Sequence, residues 1–333
     1  MHMADALLSP AVGGGMYAAS AAAIAYSVTK FKKDDPGESK VPLMAVSGAM
    51  VFAAQMINFT IPGTGSSGHI GGGILLAALL GPFAGMLALS AVLVIQCLCF
   101  ADGGLLALGC NIFNLGVIPC LFVYPLLFKK IFAPSPTAKR IWLASVISVI
   151  VALQLGSLGV VVQTTASGII ALPFSSFALM MQPIHLAIGV VEGLVTAAIL
   201  SFVFAARPQI LTTAAFGKHT TDEPARPIRV VLIVLACVAA VTAVGLSLFA
   251  STNPDGLEWS ILNLTGSAEL NTHGPVFEFF SALQSRLSFM PDYDFASGEG
   301  KGAPVAGIIG AVLVFAVALA IGFMIHASKK RRP

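Results

Sequence analysis

Residues 71–100 read GGGILLAALLGPFAGMLALSAVLVIQCLCF and contain no charged side chain. Gly81 and Pro82 interrupt this run, which leaves a short apolar piece before them and a piece long enough to cross a membrane after them. A spanning helix needs roughly 20 apolar residues, and a transmembrane strand would alternate apolar and polar positions. The continuous run therefore predicts membrane helices and not a β-barrel.

The rest of the chain has the same character. Its 333 residues are 57% hydrophobic and 10% charged, whereas a soluble domain has about 25% charged residues. We predict an all-α integral membrane protein of about nine helices. Segment 71–80 is too short to span unless it extends into the preceding loop or lies inside protein. The expected segments are 11–29, 42–58, 71–80, 82–100, 105–128, 141–163, 183–206, 229–250 and 303–326.

The basic residues predict the orientation of these helices. If the N-terminus is outside and the chain alternates, 16 of the 18 Lys and Arg residues fall in inside loops, as the positive-inside rule requires. Only Arg286 and Lys301 then lie in an outer loop, 251–302. We therefore expect the N-terminus outside and the C-terminus inside. The inside residues are Lys30, Lys32, Lys33, Lys40, Lys129, Lys130, Lys139, Arg140, Arg207, Lys218, Arg226, Arg229, Lys329, Lys330, Arg331 and Arg332.

The outer loop 251–302 carries seven acidic residues against two basic ones. Negative charge on an external loop raises the local concentration of cations, although the same residues could form a merely solvated loop. The acidic residues are Asp255, Glu258, Glu269, Glu278, Asp292, Asp294 and Glu299.

Met1 and His2 form a metal-binding pattern. The first five residues contain no Lys or Arg, so they lack the positive region of a signal peptide. Removal of the initiator methionine requires a small second residue, so we expect Met1 to stay. The Met1 amine, the His2 amide nitrogen and the His2 Nδ1 atom can close two adjacent chelate rings around one metal. Ni(II) and Cu(II) accept such planar nitrogen coordination.

His69 is the best candidate for a fourth donor. It lies in a Gly-rich outer loop that begins at Asn58, and Pro62 fixes one turn of that loop. Such a segment can fold back into the mouth of a bundle and line a site there. A single loop histidine is more often a surface residue. His2 and His69 are predicted on the same side of the membrane, and this favours one metal site that contains both.

Five further residues could support this site. His185 and Glu192 are seven residues apart, hence on one face of a predicted helix. A carboxylate inside a membrane helix is usually functional, although this pair could instead serve helix packing. Gln55, Asn58 and Asp102 are candidate hydrogen-bond partners for a metal-bound imidazole.

Four stretches are long and distinctive: residues 1–10 (MHMADALLSP), 55–69 (QMINFTIPGTGSSGH), 100–114 (FADGGLLALGCNIFN) and 185–193 (HLAIGVVEG). They closely resemble the CbiM/NikM family, the substrate-capture (S) components of energy-coupling factor transporters for cobalt and nickel. The resemblance covers about residues 1–210 and implies a seven-helix bundle in the prokaryotic cell (inner) membrane. It implies the Met1 amine, the His2 amide and imidazole, and His69 as metal ligands. Ni²⁺ or Co²⁺ would be the transported substrate, with no organic cofactor.

Residues 229–333 resemble the companion subunit CbiN or NikN, fused here to the C-terminus. Residues 254–258 match the PDGLE motif for which this domain is named. The resemblance implies two helices around the external loop 251–302, and a unit that helps to load the metal without a known ligand of its own. The basic stretch 211–228 is the expected cytoplasmic linker.

The chain contains no Gly-x-x-x-x-Gly-Lys-Ser/Thr phosphate loop, so separate subunits would have to hydrolyse ATP. The resemblance implies a transmembrane coupling (T) subunit and ATP-binding subunits of the CbiQ/CbiO or NikQ/NikO type. The lipid bilayer is the other expected partner, and no nucleic acid is expected. Small residues on the first helix offer a face for a docking helix or for packing within the bundle. They are Gly15, Ala18, Ala19, Ala22, Ala23 and Ala25.

Two other functions fit the sequence less well. A stand-alone secondary transporter of divalent cations needs ionisable residues through the membrane midplane, and only Glu192 qualifies. A membrane metalloenzyme needs an open metal position, which four nitrogen donors in a plane would fill, so we expect no enzyme. Nickel and cobalt both remain candidate substrates. Planar nitrogen coordination and the opening MHMADA favour nickel modestly.

Overall fold

The fold is described from a computed structural model that covers residues 1–33, 40–170, 172–217, 227–268, 270, 272–295, 298 and 302–330. Most of the predicted linker 211–228 lies outside this range. So do several charged residues used above to predict orientation and loop charge. These are Lys218, Arg226, Glu269, Glu299, Lys301, Arg331 and Arg332.

All nine predicted apolar segments are helical, and seven helices are long and apolar enough to cross a membrane. The prediction of a multi-pass helical membrane protein is therefore confirmed, while its orientation stays a prediction. Three short helices, Gln209–Phe216, Gly256–Thr265 and Pro275–Leu287, were not predicted. The helices are α1 (Pro10–Lys33), α2 (Lys40–Gln55), α3 (Gly73–Leu80), α4 (Pro82–Phe100), α5 (Leu108–Phe132), α6 (Ala138–Ser167), α7 (Phe174–Ala206), α8 (Gln209–Phe216), α9 (Ile228–Phe249), α10 (Gly256–Thr265), α11 (Pro275–Leu287) and α12 (Ala303–Lys330).

The short helix α3 has only 8 residues, and all of them are buried. It ends where Gly81 adopts a φ of 85°, and α4 begins at Pro82. Glycine accepts that backbone conformation without steric cost, and proline is favoured at the first position of a helix because its missing N–H needs no partner there. Helix α3 therefore lies inside protein, as its length required.

A small hairpin precedes α3 and carries His69 directly after it. Its strands are β1 (Phe59–Ile61) and β2 (Ser66–Gly68), which pair antiparallel with Phe59 opposite Gly68. The turn between the strands includes Gly63 and Gly65, both with positive φ. The predicted outer loop is thus folded and delivers His69 to a fixed place.

Helices α9 to α12 form what we call the C-terminal unit. Within it, α9 and α12 pack on α2. A Cβ atom on Gly310 of α12 would overlap the Phe52 ring, and one on Gly322 would lie 2.6 Å from a Val41 methyl. Small residues allow this close approach of helix backbones in a membrane. The C-terminal unit is therefore packed tightly on the bundle.

The predicted outer loop 251–302 contains α10 and α11. Helix α10 packs on α7, and α11 packs on α4. Asp255 caps α10 in a reciprocal capping box with Glu258, and this arrangement satisfies the free N–H groups of the first turn. The loop is therefore an ordered part of the C-terminal unit over its described residues.

Candidate metal site

The first three residues fold back into the bundle ahead of α1. Met1 and Met3 are buried. The Met3 amide donates to Asn111 Oδ1 at 2.8 Å, and Gly104 N donates to the Met3 carbonyl at 2.8 Å. Because these bonds involve the backbone, they fix the path of the N-terminus and not only one side chain.

The Met1 amine faces two partners. Its nitrogen lies 2.7 Å from His69 Nε2 and 2.7 Å from Asp255 Oδ2. Two nitrogens that bind one metal at about 2.0 Å each, at a right angle, would be about 2.8 Å apart. The separation of the Met1 and His69 nitrogens therefore suits adjacent ligands of a single metal ion.

His69 presents one ring nitrogen to this point. Its Nδ1 atom lies 3.2 Å from the Ile70 carbonyl oxygen, which assigns the ring proton to Nδ1. Burial lowers the pKa of His69 to about 3, and the nearby Met1 ammonium and His2 lower it in the same direction. The imidazole is therefore neutral, and its Nε2 lone pair accepts from the amine.

His2 stacks on His69, with ring centroids 4.8 Å apart and planes 8° from parallel. Its Nδ1 atom lies 3.0 Å from Asp102 Oδ1. Its Nε2 atom is buried and has no hydrogen-bond partner among the residues that the structure describes. The three predicted ligand residues thus converge, but Nδ1 of His2 is bonded to Asp102.

Asp102 links the site to the C-terminal unit. The Tyr293 hydroxyl donates to Asp102 Oδ2 at 2.5 Å. Burial alone would raise the pKa of Asp102, but His2 and the Tyr293 hydroxyl hold it below its ordinary value. Asp102 is therefore an anion that contacts His2, as the sequence suggested for an imidazole partner.

Asp255 is the site residue that the sequence did not assign. Its Oδ1 atom accepts from Leu257 N and Glu258 N, and its Oδ2 atom accepts from the Met1 amine. Burial would raise the pKa of this carboxyl, but the Met1 ammonium and His69 hold it below its ordinary value. The sequence signals for Asp255 were the acidic residues of the predicted outer loop and the D-x-x-E capping pattern within the PDGLE motif.

Glu192 and Gln55 hold the loop after His69. The Glu192 carboxylate accepts from Gly71 N at 2.7 Å and from Gly72 N at 2.8 Å. Gln55 Nε2 donates to the Gly71 carbonyl at 2.6 Å. Both side chains therefore bond to the backbone of this loop and not to an imidazole.

His185 and Asn58, the other two residues predicted to support the site, lie against the C-terminal unit. His185 Nδ1 is bonded to the Met181 carbonyl at 2.7 Å, and its ring packs beside Gly256. Asn58 accepts from Ser251 N through its backbone carbonyl at 2.7 Å. Neither residue is described in contact with the imidazoles of His2 or His69.

Within the described part of the chain, no three His, Cys, Asp or Glu residues form a metal-binding group. A metal bound beside His69 would therefore need a donor of another kind, such as a backbone nitrogen. The Met1 amine is one such nitrogen, since it lies 2.7 Å from His69 Nε2.

Residues 2–210 match the sequence model of the CbiM family, described as the cobalt uptake substrate-specific transmembrane region. The chain belongs to the CbiM family. Residues 229–327 match the PDGLE domain. The resemblance inferred from the motifs is therefore confirmed for both parts of the chain.

Relatives of the chain are named as transport proteins. A protein of Archaeoglobus fulgidus named as a fused nickel transport protein, NikMN, is 31% identical over 96% of this chain and 98% of its own length. The cobalt transport protein CbiM of Sorangium cellulosum is 31% identical over 51% of this chain and 76% of its own. A crystal structure of a truncated transition metal transporter matches with a TM-score of 0.53 at 28% identity, over 62% of this chain and 99% of that one. This CbiM-family chain is a metal transport protein, and its relatives are not enzymes.

Proposed function

We propose that this metal transporter captures one Ni²⁺ ion with four nitrogens: the Met1 amine, the His2 amide, His2 Nδ1 and His69 Nε2. The observation that carries the proposal is the 2.7 Å separation between the Met1 nitrogen and His69 Nε2. In the proposed plane these two atoms are neighbours. The metal would take the place of the proton that now joins them.

The remaining donors require a local change at His2. Nδ1 must leave Asp102 to complete the second chelate ring, and the His2 amide must lose its proton. A planar set that includes a deprotonated amide suits Ni²⁺ better than Co²⁺. The fused relative from Archaeoglobus is also named for nickel, whereas the Sorangium relative is named for cobalt. Nickel is therefore our proposed substrate, with cobalt as the alternative.

Delivery of the metal across the membrane would use separate subunits. The chain lacks a phosphate loop, so we assign ATP hydrolysis to ATP-binding subunits of the CbiO or NikO type and coupling to a CbiQ or NikQ type T subunit. Helix α1 offers a docking face. Gly15, Ala18, Ala22 and Ala25 are exposed on it, and no atom lies within 4 Å of a Cβ built on Gly15.

The decisive experiment changes the first residue without changing any side chain. N-terminal acetylation, retention of the formyl group or an N-terminal tag should each abolish nickel binding, because each removes the free amine. A tag whose cleavage regenerates Met1 should restore binding. Isothermal titration measures the affinity, and the visible absorption band of square-planar nickel reports the geometry. Tight binding with the same spectrum by an extended chain would refute the N-terminal chelate.

A further inference from the structure

We propose that Asp255 of the PDGLE motif is a positioning residue that holds the Met1 amine in the metal site before and after the metal enters. The inference rests on the proposed function, because it concerns the same site. In this proposal the C-terminal unit acts on the metal site through one carboxylate oxygen, Asp255 Oδ2.

The amine uses one N–H group to contact His69 and a different N–H group to contact Asp255. One N–H is directed to His69 Nε2 and another to Asp255 Oδ2, each at 2.7 Å. A metal that binds both the amine and His69 replaces the proton between them. The N–H directed to Asp255 remains, since a coordinated amine still carries two hydrogens. Asp255 therefore has no need to leave the amine, unlike Asp102, which must release His2 Nδ1.

The position of the carboxylate is itself fixed by its surroundings. Its second oxygen accepts from Leu257 N at 2.8 Å and Glu258 N at 2.9 Å. The preceding residue, Pro254, accepts from Ser67 N at 2.8 Å, in the strand that leads to His69. The same short segment thus contacts the amine and the hairpin that carries His69. It aligns two donors that come from distant parts of the chain.

The negative charge of Asp255 matches the net positive charge at the amine both without and with bound nickel. The ammonium carries one positive charge, and a Ni²⁺ ion bound to a deprotonated amide also carries one net positive charge. One buried carboxylate beside the amine can balance either form. Partners of this kind, which orient a metal ligand and complement its charge, typically contribute 10–100-fold to metal affinity.

The test separates this role from helix capping. Asn and Ser cap a helix about as well as Asp does, but Asn lacks the charge and Ser is too short to reach the amine. We expect Asp255→Asn and Asp255→Ser to stay folded and to bind nickel about 10–100-fold more weakly, with the same absorption band. Glu258→Gln is the matched control, since its side-chain oxygen can still accept from Asp255 N, and its affinity should be unchanged. Affinity within twofold of the unmodified chain in both Asp255 variants would overturn the proposal.

A second measurement does not depend on nickel at all. The melting temperature of metal-free protein is compared for the chain and for Asp255→Asn, each with a free or an acetylated N-terminus. If Asp255 holds the amine, acetylation lowers the melting temperature of the unmodified chain and has little further effect in Asp255→Asn. Additive effects would refute the contact. Non-additive effects together with tight nickel binding by the acetylated chain would instead refute the proposed ligand set and leave the Asp255 contact standing.

Discussion

The imidazole rings of His2 and His69 are stacked with their planes 8° from parallel, while Nδ1 of His2 is bonded to Asp102 at 3.0 Å. In this arrangement His69 already presents Nε2 to the Met1 amine, but His2 presents its Nδ1 elsewhere. Half of the proposed ligand plane is therefore in place, and the other half needs a rotation of the His2 ring.

Asp102→Asn should retain nickel binding within about tenfold of the unmodified chain. Asp102 contacts the ring nitrogen that the metal must occupy, so it cannot keep that contact in the metal-bound protein. Asn can still accept from Tyr293, which limits structural damage. Isothermal titration of the purified variant gives the affinity. Complete loss of binding would mean that Asp102 is itself a ligand.

His2→Ala and His69→Ala should each abolish high-affinity nickel binding without unfolding the protein. Each substitution removes one imidazole nitrogen from a four-nitrogen set. His273→Ala is the control, because His273 lies exposed outside the site. Titration with nickel and size-exclusion chromatography in detergent measure binding and folding separately. Normal binding by either site variant would contradict the ligand set.

Glu192→Gln should weaken nickel binding by about tenfold and lower the melting temperature, a smaller effect than that of His2→Ala. Glutamine can accept from only one of Gly71 N and Gly72 N, so a buried N–H loses its partner. Such a loss costs about 1–3 kcal/mol. Gln182→Leu on the same helix is the control, since Gln182 bonds to Gln154 and Ser157 of α6. It should lower stability and leave affinity unchanged. Loss of binding as complete as that of His2→Ala would make Glu192 a ligand.

Nickel affinity should fall as the pH is lowered from about 7 to about 5, with release of about two protons for each metal bound. The ammonium of Met1 and the amide of His2 must lose protons before they bind the metal. His69 contributes little in this range because its pKa is about 3, so it is already neutral. Titration in two buffers of different protonation enthalpy counts the protons. Affinity independent of pH would exclude the amine and the amide as donors.

The isolated chain in liposomes should show neither ATPase activity nor sustained accumulation of nickel. ATP-driven uptake should appear when T and ATP-binding subunits are co-reconstituted, since the chain has no phosphate loop. Uptake of radioactive nickel is measured in liposomes that contain the chain alone and in liposomes that also contain the T and ATP-binding subunits. Concentrative uptake by the chain alone would favour the secondary-transporter alternative.

The membrane helices could be predicted from sequence because continuous apolar runs leave few alternatives in lipid. Even the short α3 was found, since Gly81 and Pro82 mark its end. Helices α10 and α11 were missed because they lie outside the apolar runs. Helix α11 has an apolar side that includes Val276, Phe279 and Leu283, but these side chains are exposed. Its 13 residues are too few to form the continuous apolar run that marks a membrane helix.

The pattern Met1-His2 and the loop around His69 indicated the metal chemistry, because donor type and spacing are local properties of a sequence. The partner of the Met1 amine could not be predicted in the same way. Asp255 is 254 residues away from Met1, and their contact depends on how the C-terminal unit packs on the bundle. The direction of His2 Nδ1 could not be predicted from the sequence either, since it depends on the side-chain torsion angles of His2.

The close contact of Gly310 with Phe52 and of Gly322 with Val41 has a consequence for the fusion itself. The last helix is held by van der Waals contact along α2, and the first residue is held by Asp255. The C-terminal unit is thus joined to the bundle at two places in addition to the linker. A cut within 211–228 would therefore yield two pieces that stay associated in the membrane. The covalent joint fixes their ratio at one to one and raises their effective concentration, while the glycine contacts and the contact of Asp255 with Met1 hold the two pieces together.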